Sequence, residues 1–412
     1  MPSHKPKSTI PYPRNFFRKE NLKYIWKYSG ESDSKAAGYD GKTPKKFRDN
    51  LDNQICTISE KLYRADYRFK PLRAQLIPKS NGKYRIICIP TVRDRLVQRL
   101  ILYLLTNPDQ FRISNDISYG TKENGVQAAI NEAVKKRNKS PWVIKTDVTS
   151  FFDSIDRFRL ITLLEKKLAK NKKLLLLPLL KQVINCEVNS NNRDKRKLEK
   201  SGIIVGKGLR QGMPLSPFLS NVFLKKFDDF IIKKSINAIR YVDDIIIFCN
   251  SEDECHMQIK LIKKALRILN LEIPEVNSIN SKTNLVPPDD PVIFLGIEIY
   301  KHKNGSYGKK IPKAKVNNLL SGCEILSGSE GLNYPSITEL FKNKIQGHRS
   351  FYKDTTNFNT FLDKYKKKVD KLKIELLEKN LGKAVYEKLK PAMLKFLGIE
   401  SIIELNLAEF IF

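Results

Sequence analysis

Two adjacent carboxylates stand where two strongly apolar segments meet. Asp243 and Asp244 lie within RYVDDIIIF, at residues 240–248. Like charges this close repel each other, and a divalent cation removes that repulsion. Further Asp pairs occur at 228–229 and 289–290, so such a pair alone also fits an exposed turn. The flanking β-branched and aromatic residues instead favour a buried hairpin that holds both acids rigidly.

A third carboxylate, Asp147, closes a short apolar segment, VIKTD, at residues 143–147. Nucleotidyl transfer by two metal ions needs carboxylates that bridge ions about 3.5–4 Å apart. One ion activates the attacking primer hydroxyl, and the other binds the incoming triphosphate. Oxygen ligands with open positions suit Mg²⁺. Asp147 with Asp243 and Asp244 would supply such a set, although Asp147 alone also fits an ordinary strand end.

A glycine-containing loop precedes a helix between these acids in the chain. The segment GLRQGMPLSPFLSNV occupies residues 208–222. Gly212 and Pro214 predict a tight loop, and Pro217 suits the first turn of a helix. Such a loop can approach a nucleotide and its template base closely. By itself, the same pattern also fits an ordinary joint between a loop and a helix.

The elements that must position these residues follow from hydrophobic periodicity. Helices are predicted at 45–63, from Thr91 onward, at 159–183, 217–232 and 256–271, and throughout the chain beyond Lys313. β-Hairpins are predicted at 73–90 with a basic tip, at 239–250, and from 292–300 to 307–311. Residues 1–45 are polar, which predicts a loosely packed lead-in, and residues 185–201 are predicted to form a charged, irregular insertion.

The overall charge indicates a polyanionic partner. The 412 residues include 76 Lys and Arg against 44 Asp and Glu, a formal net charge of +32. A surface this basic attracts phosphate backbones, although a generally lysine-rich proteome would also raise the figure. Six scattered cysteines without a CxxC pair, and only four histidines, disfavour a zinc site. The scattered cysteines fit a reducing compartment, and no apolar segment is long enough to cross a membrane. The sequence therefore predicts a cytoplasmic protein.

Taken in order, these motifs resemble the palm motifs of reverse transcriptases. The similar segments are DVTSFFDSI at 147–155, QGMPLSP at 211–217 and YVDD at 241–244. The segments that resemble the group II intron type of this family are IPKSNGKYRIICIPTVRDRLVQ at 77–98, SYG at 118–120, the primer-grip-like FLGIEI at 294–299 and the thumb-like KIQGHRSFY at 344–352. The resemblance extends over roughly residues 38–370.

The resemblance implies an α+β, right-hand polymerase fold with fingers, a palm of antiparallel sheet plus helices, and a helical thumb. The implied division is an N-terminal extension at 1–45, fingers at 46–140, a palm at 141–312 with a fingers-side insertion near 160–205, a thumb at 313–380 and a C-terminal helical tail at 381–412. The implied activity is RNA-directed DNA synthesis.

Catalytic roles also follow from the resemblance. Asp147, Asp243 and Asp244 would form the catalytic triad and hold two Mg²⁺ ions, for which Mn²⁺ could substitute. The carbonyl of Val148 would be an additional metal ligand. Phe152 would be the steric gate, an aromatic ring in the space that a ribose 2′-hydroxyl needs. Viral RNA-dependent RNA polymerases carry an acid at that position, so the phenylalanine favours a DNA product.

Further side chains are implied to bind the substrates. The nucleotide-binding set is Lys79, Arg85, Phe152, Gln211 and Lys282, of which Lys282 resembles a lysine that protonates the leaving pyrophosphate. The primer and template set is Tyr241, Gly212, Phe294, Leu295 and Gly296. The expected partners are deoxynucleotides, a DNA product and an RNA template, for which a dedicated non-coding RNA is one candidate. A second copy of the chain or a partner protein is a further candidate, and no membrane contact is expected.

The biological role has several interpretations. Paired Cys and His of a homing endonuclease, an RNase H-like acidic set and the retron stretches NAxxH and VTG are not found in the sequence. A chain of fingers, palm, thumb and tail resembles the stand-alone reverse transcriptases of antiphage defence. A group II intron protein that binds RNA as a maturase is one alternative. An untemplated or protein-primed polymerase on the same fold is another.

Overall fold

A computed structural model describes residues 14–30, 36–78, 84–106, 117–120, 125–171, 173–189, 203–278, 281–327, 334–382 and 386–399. The helices are α1 (Lys19–Tyr28), α2 (Pro44–Arg48), α3 (Leu51–Tyr63), α4 (Val92–Leu105), α5 (Val126–Lys139), α6 (Phe151–Ser154), α7 (Arg157–Lys170), α8 (Leu177–Ile184), α9 (Ser216–Lys233), α10 (Glu252–Arg267), α11 (Lys313–Ser327), α12 (Tyr334–Tyr352), α13 (Phe358–Leu381) and α14 (Pro391–Phe396). The strands are β1 (Arg73–Pro78), β2 (Tyr84–Ile89), β3 (Ser118–Tyr119), β4 (Trp142–Asp147), β5 (Ala238–Tyr241), β6 (Asp244–Cys249), β7 (Asn284–Val286), β8 (Val292–Phe294), β9 (Ile297–Lys301) and β10 (Tyr307–Lys310). The predicted α+β class is confirmed.

The strands form three sheets. β1 and β2 make an antiparallel hairpin, and a second sheet has the order β10-β9-β8. The third has five strands in the order β3-β5-β6-β4-β7. Within it β4 is antiparallel to β7, whereas the two-residue strand β3 runs parallel to β5. The expected antiparallel sheet therefore carries one short parallel pair, and the two acid-bearing strands, β4 and β6, are neighbours.

The chain divides into two compact units. One comprises residues 1–125, 146–245 and 258–275, and the other comprises residues 126–145, 246–257 and 276–412. All three acids of the candidate triad belong to the first unit. Within the described stretches, no helix combines the length and the apolar character that a bilayer crossing requires.

The N-terminal region is more tightly packed than its polar composition predicts. In α1, Leu22, Ile25 and Trp26 are buried, with relative exposures of 0%, 6% and 6%. Their spacing places them on one face of the helix, which packs against α3 and α4. The prediction of a loosely packed lead-in is therefore wrong for this helix. A narrow apolar stripe is sufficient for burial even where the surrounding residues are charged.

Helix α12 and helix α13 build the core of the second unit. Phe341, Phe361, Tyr365 and Val369 are each at most 2% exposed and belong to one cluster of buried side chains. Ile297 from β9 joins the same cluster. Beyond Lys313 the described residues are mainly helical, as predicted, with turns between the helices, as at 353–357.

Some predicted elements are interrupted. The helix expected at 45–63 is split into α2 and α3, and the helix expected at 159–183 is split into α7 and α8 by a turn around Asn171. Pro178 lies in the first turn of α8, where its missing N–H costs no helical hydrogen bond.

Two other bounds differ from prediction. Helix α10 begins at Glu252 rather than at His256, with three acids in its first turn that suit the helix dipole. The strand expected at 292–300 breaks at Leu295 and Gly296, which have φ values of +50° and +80°. The tip of the first hairpin, 79–83, and most of the predicted insertion, at 190–201, lie outside the described residues.

Helix α4 begins at a tightly packed corner. The hydroxyl of Thr91 accepts the N–H of Asp94 at 3.1 Å and donates to its carboxylate at 2.7 Å. Gly38 lies against this cap: a Cβ atom there would be 2.4 Å from the Cα of Thr91 and 2.8 Å from the carbonyl oxygen of Pro90. Because both neighbours are backbone atoms, a side chain at position 38 requires the corner to move.

We expect Gly38→Ala to lower the free energy of unfolding by about 1–3 kcal/mol, as overpacking does. Gly347→Ala is the control, because a Cβ atom there meets nothing within 4 Å and the residue lies within α12. That change should stabilise by roughly 0.5–1 kcal/mol. Urea denaturation followed by circular dichroism measures both. A neutral or stabilising Gly38→Ala would contradict the packing argument.

Candidate active site

The acids are carried by backbone segments that touch each other. Asp147 is the last residue of β4, and Asp244 is the first residue of β6. The N–H of Val148 donates to the carbonyl of Asp243 at 3.1 Å. The segment that follows β4 is therefore joined directly to the turn that precedes β6. The structure places all three predicted acids on these two hydrogen-bonded segments.

The chemistry of this donor set fits a hard divalent cation. Asp147, Asp243 and Asp244 are each half-buried, so the site can be reached from solvent while neighbouring strand residues lie in the core. Carboxylate oxygens are the ligands that Mg²⁺ prefers. Across the described ranges, however, no three His, Cys, Asp or Glu side chains are grouped closely enough to hold a metal ion. The three acids thus lie on two hydrogen-bonded backbone segments, but their side chains are not grouped as a complete metal-binding site.

The turn between β5 and β6 has a strained backbone. Val242 has a φ of +59°, a left-handed conformation that a β-branched residue rarely adopts. Such conformations cost on the order of 1–3 kcal/mol and persist where the surroundings impose them. Here the carbonyl of Val242 accepts a hydrogen bond from the Nη1 of Arg240 at 2.9 Å. The turn is therefore held from inside the protein.

Arg240 is in turn anchored to helix α9. Its Nε donates to Oδ1 of Asp228 at 2.7 Å, and its Nη1 donates to Oδ1 of Asn221 at 2.9 Å. The three side chains are 1%, 0% and 3% exposed. Sequence reasoning treated Asp228 only as a comparison for the catalytic pair and assigned no role to Arg240. The available signal was an arginine within an apolar strand, because a buried charge requires a partner.

Tyr241 lies beside Gly120, the residue that follows strand β3. Ser118 and Tyr119 pair with Arg240 and Tyr241, and a Cβ atom on Gly120 would be 3.3 Å from the ring of Tyr241. Burial raises the pKa of the Tyr241 phenol above its ordinary value. The hydroxyl therefore stays protonated at neutral pH and can donate or accept a hydrogen bond.

The predicted steric gate is fixed by its own backbone. Phe152 is half-buried, and its ring meets that of Phe151 edge to face, with 5.3 Å between centroids and an interplanar angle of 62°. Its carbonyl accepts the N–H of Leu209 at 2.7 Å. Gly208, with a φ of +75°, approaches so closely that a Cβ atom would lie 2.7 Å from the Cα of Asp153. The structure thus brings Phe152 against the loop that carries Gln211.

The Gln211 loop also contacts the first hairpin. The carbonyl of Gln211 accepts the N–H of Cys88 at 2.7 Å. Gly212 has a φ of +107°, and a Cβ atom there would lie 2.8 Å from the carbonyl oxygen of Cys88. Arg85 is exposed on the same strand, β2, while Lys79 lies outside the described residues. The structure therefore brings the strand of Arg85 and the predicted nucleotide-binding loop together.

The remaining predicted residues belong to the second unit. Lys282 is exposed just before β7. Phe294 is 0% exposed, and the Nζ of Lys145 lies 6.0 Å from its ring centroid. The Phe294 side chain therefore belongs to the core, and a direct contact of this ring with a primer is not what the structure shows. Leu295 is half-buried and Gly296 exposed, so these two residues form the surface of the turn.

Comparison with known proteins gives a consistent result. The sequence model of the family described as reverse transcriptase (RNA-dependent DNA polymerase) matches residues 77–299, which include all three acids. Protein YkfC of Escherichia coli K12 is 24% identical over 339 residues, 70% of this chain and 83% of that protein. The group II intron-encoded protein LtrA of Lactococcus lactis is 26% identical over 226 residues, 54% of this chain and 35% of that protein.

The retron Ec83 reverse transcriptase of Escherichia coli is 31% identical over 202 residues, 46% of this chain and 56% of that protein. The chain thus spans most of YkfC, about half of the retron protein and about a third of LtrA.

We expect Arg240→Met to lower the free energy of unfolding by about 3–5 kcal/mol, because it leaves the buried Asp228 charge without its partner. Adding Asp228→Leu should restore most of that loss, since apolar side chains can replace a buried ion pair. Urea denaturation measures both variants. Asp229→Ala on the same helix removes an exposed pair with Lys225 and should cost less than about 1 kcal/mol. A double variant no more stable than Arg240→Met would count against the pairing.

Proposed function

The chain belongs to the reverse transcriptase (RNA-dependent DNA polymerase) family, and from this premise we propose that it copies an RNA template into DNA by two-metal nucleotidyl transfer. The observation that carries the proposal is the hydrogen bond from the N–H of Val148 to the carbonyl of Asp243. It joins the strand end that bears Asp147 to the turn that bears Asp243 and Asp244. Two-metal catalysis by these acids requires that the two segments lie close together.

Asp147, Asp243 and Asp244, with the carbonyl of Val148, would hold two Mg²⁺ ions, for which Mn²⁺ could substitute. When bound, these ions would activate the primer hydroxyl and neutralise the triphosphate. The chain itself supplies the rigid support. The Val242 turn is fixed by Arg240, so the two adjacent carboxylates start from a defined backbone position. Preorganised groups of this kind avoid reorganisation during the reaction.

The nucleotide would bind between the hairpin and the Gln211 loop. Arg85, which is exposed on β2, would neutralise the triphosphate together with Lys79. Gln211 would support the nucleotide, since its loop is hydrogen-bonded to the strand that carries Arg85. Phe152 would exclude a ribose 2′-hydroxyl. Lys282 would donate a proton to the departing pyrophosphate.

The primer and template would meet the other predicted residues. Tyr241, with its protonated hydroxyl, and the surface formed by Leu295 and Gly296 would hold the primer end. Phe294 would support that turn from the core rather than touch the nucleic acid. Gly212 would face the template base, because its exposed position leaves room for close approach.

A cleft between α11 and α13 supports binding of a nucleic acid duplex. Its lysines are spaced along one face of α13, and its other wall is formed by α11. The lining residues are Asn317, Leu320, Ser321, Lys364, Lys367, Lys368 and Lys371. Lysines on one helix face repel each other. A nucleic acid backbone relieves that repulsion, because its phosphates pair with the lysines and release their own bound counterions. We assign this cleft to the thumb at 313–380, and we assign residues 46–140 to the fingers and residues 141–312 to the palm.

The finer proposal is that the enzyme acts in the bacterial cytoplasm and copies a dedicated non-coding RNA in antiphage defence, alone, as a homo-oligomer or with a partner protein. Similarity to a retron reverse transcriptase supports the polymerase interpretation. Similarity to an intron-encoded protein favours the second candidate, a maturase-like protein that binds intron RNA. Sequencing the copurifying nucleic acid separates the two, because complementary DNA supports the polymerase and intron RNA without DNA supports the maturase.

Asp243→Ala with Asp244→Ala should abolish RNA-directed DNA synthesis while the protein remains folded, because the turn would lose both metal-binding side chains. Primer extension on an RNA template with Mg²⁺ measures the activity. The matched control is Asp289→Ala with Asp290→Ala, an equally acidic adjacent pair that is exposed on the second unit. Activity that survives the first change but not the second would overturn the assignment.

Phe152→Val should increase incorporation of ribonucleotides relative to deoxynucleotides by about tenfold or more, equivalent to about 1.4 kcal/mol of lost discrimination. The physical reason is the space that the smaller side chain leaves for a 2′-hydroxyl. Competition between the two nucleotides in primer extension measures it. Phe158→Val is the control, since that ring is 81% exposed. Unchanged sugar selection in Phe152→Val would rule out the gate.

A further inference from the structure

Glu187 gathers four donors around one carboxylate in the first unit. Its Oε1 pairs with Nη1 of Arg157 at 2.8 Å and accepts the N–H of Gly206 at 2.9 Å. Its Oε2 accepts from Nε and Nη2 of Arg210 at 3.0 and 2.6 Å. Glu187 lies in the segment that the sequence predicts to be an irregular insertion. The pairing with Arg210 uses both donors of one guanidinium edge, the geometry of a strong charge-assisted contact.

The two arginines depend on this acid. Arg157 and Arg210 are 8% and 1% exposed, so water screens neither charge effectively. Burial of Glu187 acts to raise its pKa, but the hydrogen bond from Gly206 and the charges of Arg210 and Arg157 outweigh burial and lower the pKa overall. The carboxylate is therefore ionised at neutral pH. Without it, two buried like charges would lie on neighbouring segments and would keep only their hydrogen bonds to backbone carbonyls.

The main chain of Glu187 binds a different element. Its carbonyl accepts the N–H of Leu72 at 2.9 Å, and the carbonyl of Leu72 accepts the N–H of Asn189 at 2.9 Å. Leu72 immediately precedes β1 of the first hairpin. Backbone and side chain of this one residue thus join the base of the hairpin to the loop that begins at Gly206.

The same loop is held at its other end by that hairpin. Gln211 accepts the N–H of Cys88, which lies on β2. In between, the Nε of Arg157 donates to the carbonyl of Gly208 at 2.7 Å. Residues 206–211 are therefore fixed by the Glu187 carboxylate at the start, by Arg157 in the middle and by β2 at the end.

We propose that Glu187 is a positioning residue for nucleotide binding, which sets the conformation of the 206–211 loop so that Gln211 meets the incoming deoxynucleotide. The inference rests on the proposed function, because the loop would bind a deoxynucleotide only if the protein is a polymerase. Glu187 acts through the loop and touches no reacting atom.

The test is steady-state primer extension by Glu187→Gln, which keeps the shape of the side chain but removes its charge. The KM for the deoxynucleotide should rise by about tenfold with kcat nearly unchanged, the pattern of lost ground-state binding. Glu187→Asp keeps the charge with a shorter reach and should give an intermediate KM. Affinity for the primer–template duplex should not change. Glu275→Gln, which removes an exposed acid paired with Lys263, should leave every parameter at the wild-type value.

Hydrogen–deuterium exchange provides a readout that needs no activity. In Glu187→Gln, the amides of 203–213 should exchange faster than in the wild type, beginning with Gly206. If the Glu187 variants do not fold, Arg157→Gln replaces them, since it loses the contacts to Glu187 and to the carbonyl of Gly208 and should raise the same KM.

The outcomes separate the two proposals. Unchanged KM with unchanged exchange overturns the inference, as does a loss confined to kcat, which a general structural defect would give. A wild-type protein without DNA synthesis overturns the proposed function, while faster exchange in the variant would still show that Glu187 fixes the loop.

Discussion

The candidate active site depends on the hydrogen bonds that the buried guanidinium of Arg240 makes. The charge of this guanidinium is neutralised by Asp228, and Asn221 accepts a further hydrogen bond from it. Its contact with the carbonyl of Val242 holds a turn that would otherwise relax to a less strained conformation. The next residue in that turn receives the hydrogen bond from Val148. One buried side chain thus supports the turn at which the two acid-bearing segments meet, and the pairing of β6 with β4 joins the same segments.

At two glycines, the loop that carries Gln211 approaches its neighbours through backbone. Gly208 lies against the backbone of Phe152 and Asp153, and Gly212 lies against that of Cys88. A Cβ atom at either glycine would be less than 3 Å from these neighbours. Close backbone packing leaves neighbouring polar side chains available for a substrate. The loop can therefore be rigid and still present functional groups.

Local patterns predict much of this fold, and long-range partners account for the rest. Alternation and β-branched residues predict β4, β5 and β6, and the Thr91 cap marks the start of α4, because these signals depend on neighbours in sequence. The three acids were found in the same way. The partners of Arg240 and Glu187 could not be found, because ion pairs between separate elements depend on how those elements pack. The break at Leu295 was also missed, since a leucine with positive φ has no signature of its own.

The contact between β2 and the Gln211 loop covers a thiol. Cys88 is 1% exposed, and burial raises its pKa to about 12. The thiol therefore stays protonated at neutral pH, whereas the thiolate is the form that reacts with alkylating reagents. As long as the hairpin stays against the loop, this cysteine is chemically silent. The rate of alkylation at Cys88 itself, distinguished from that of the partly exposed Cys56 and Cys186, therefore reports how often the hairpin and the loop separate, and the native sequence already carries this probe.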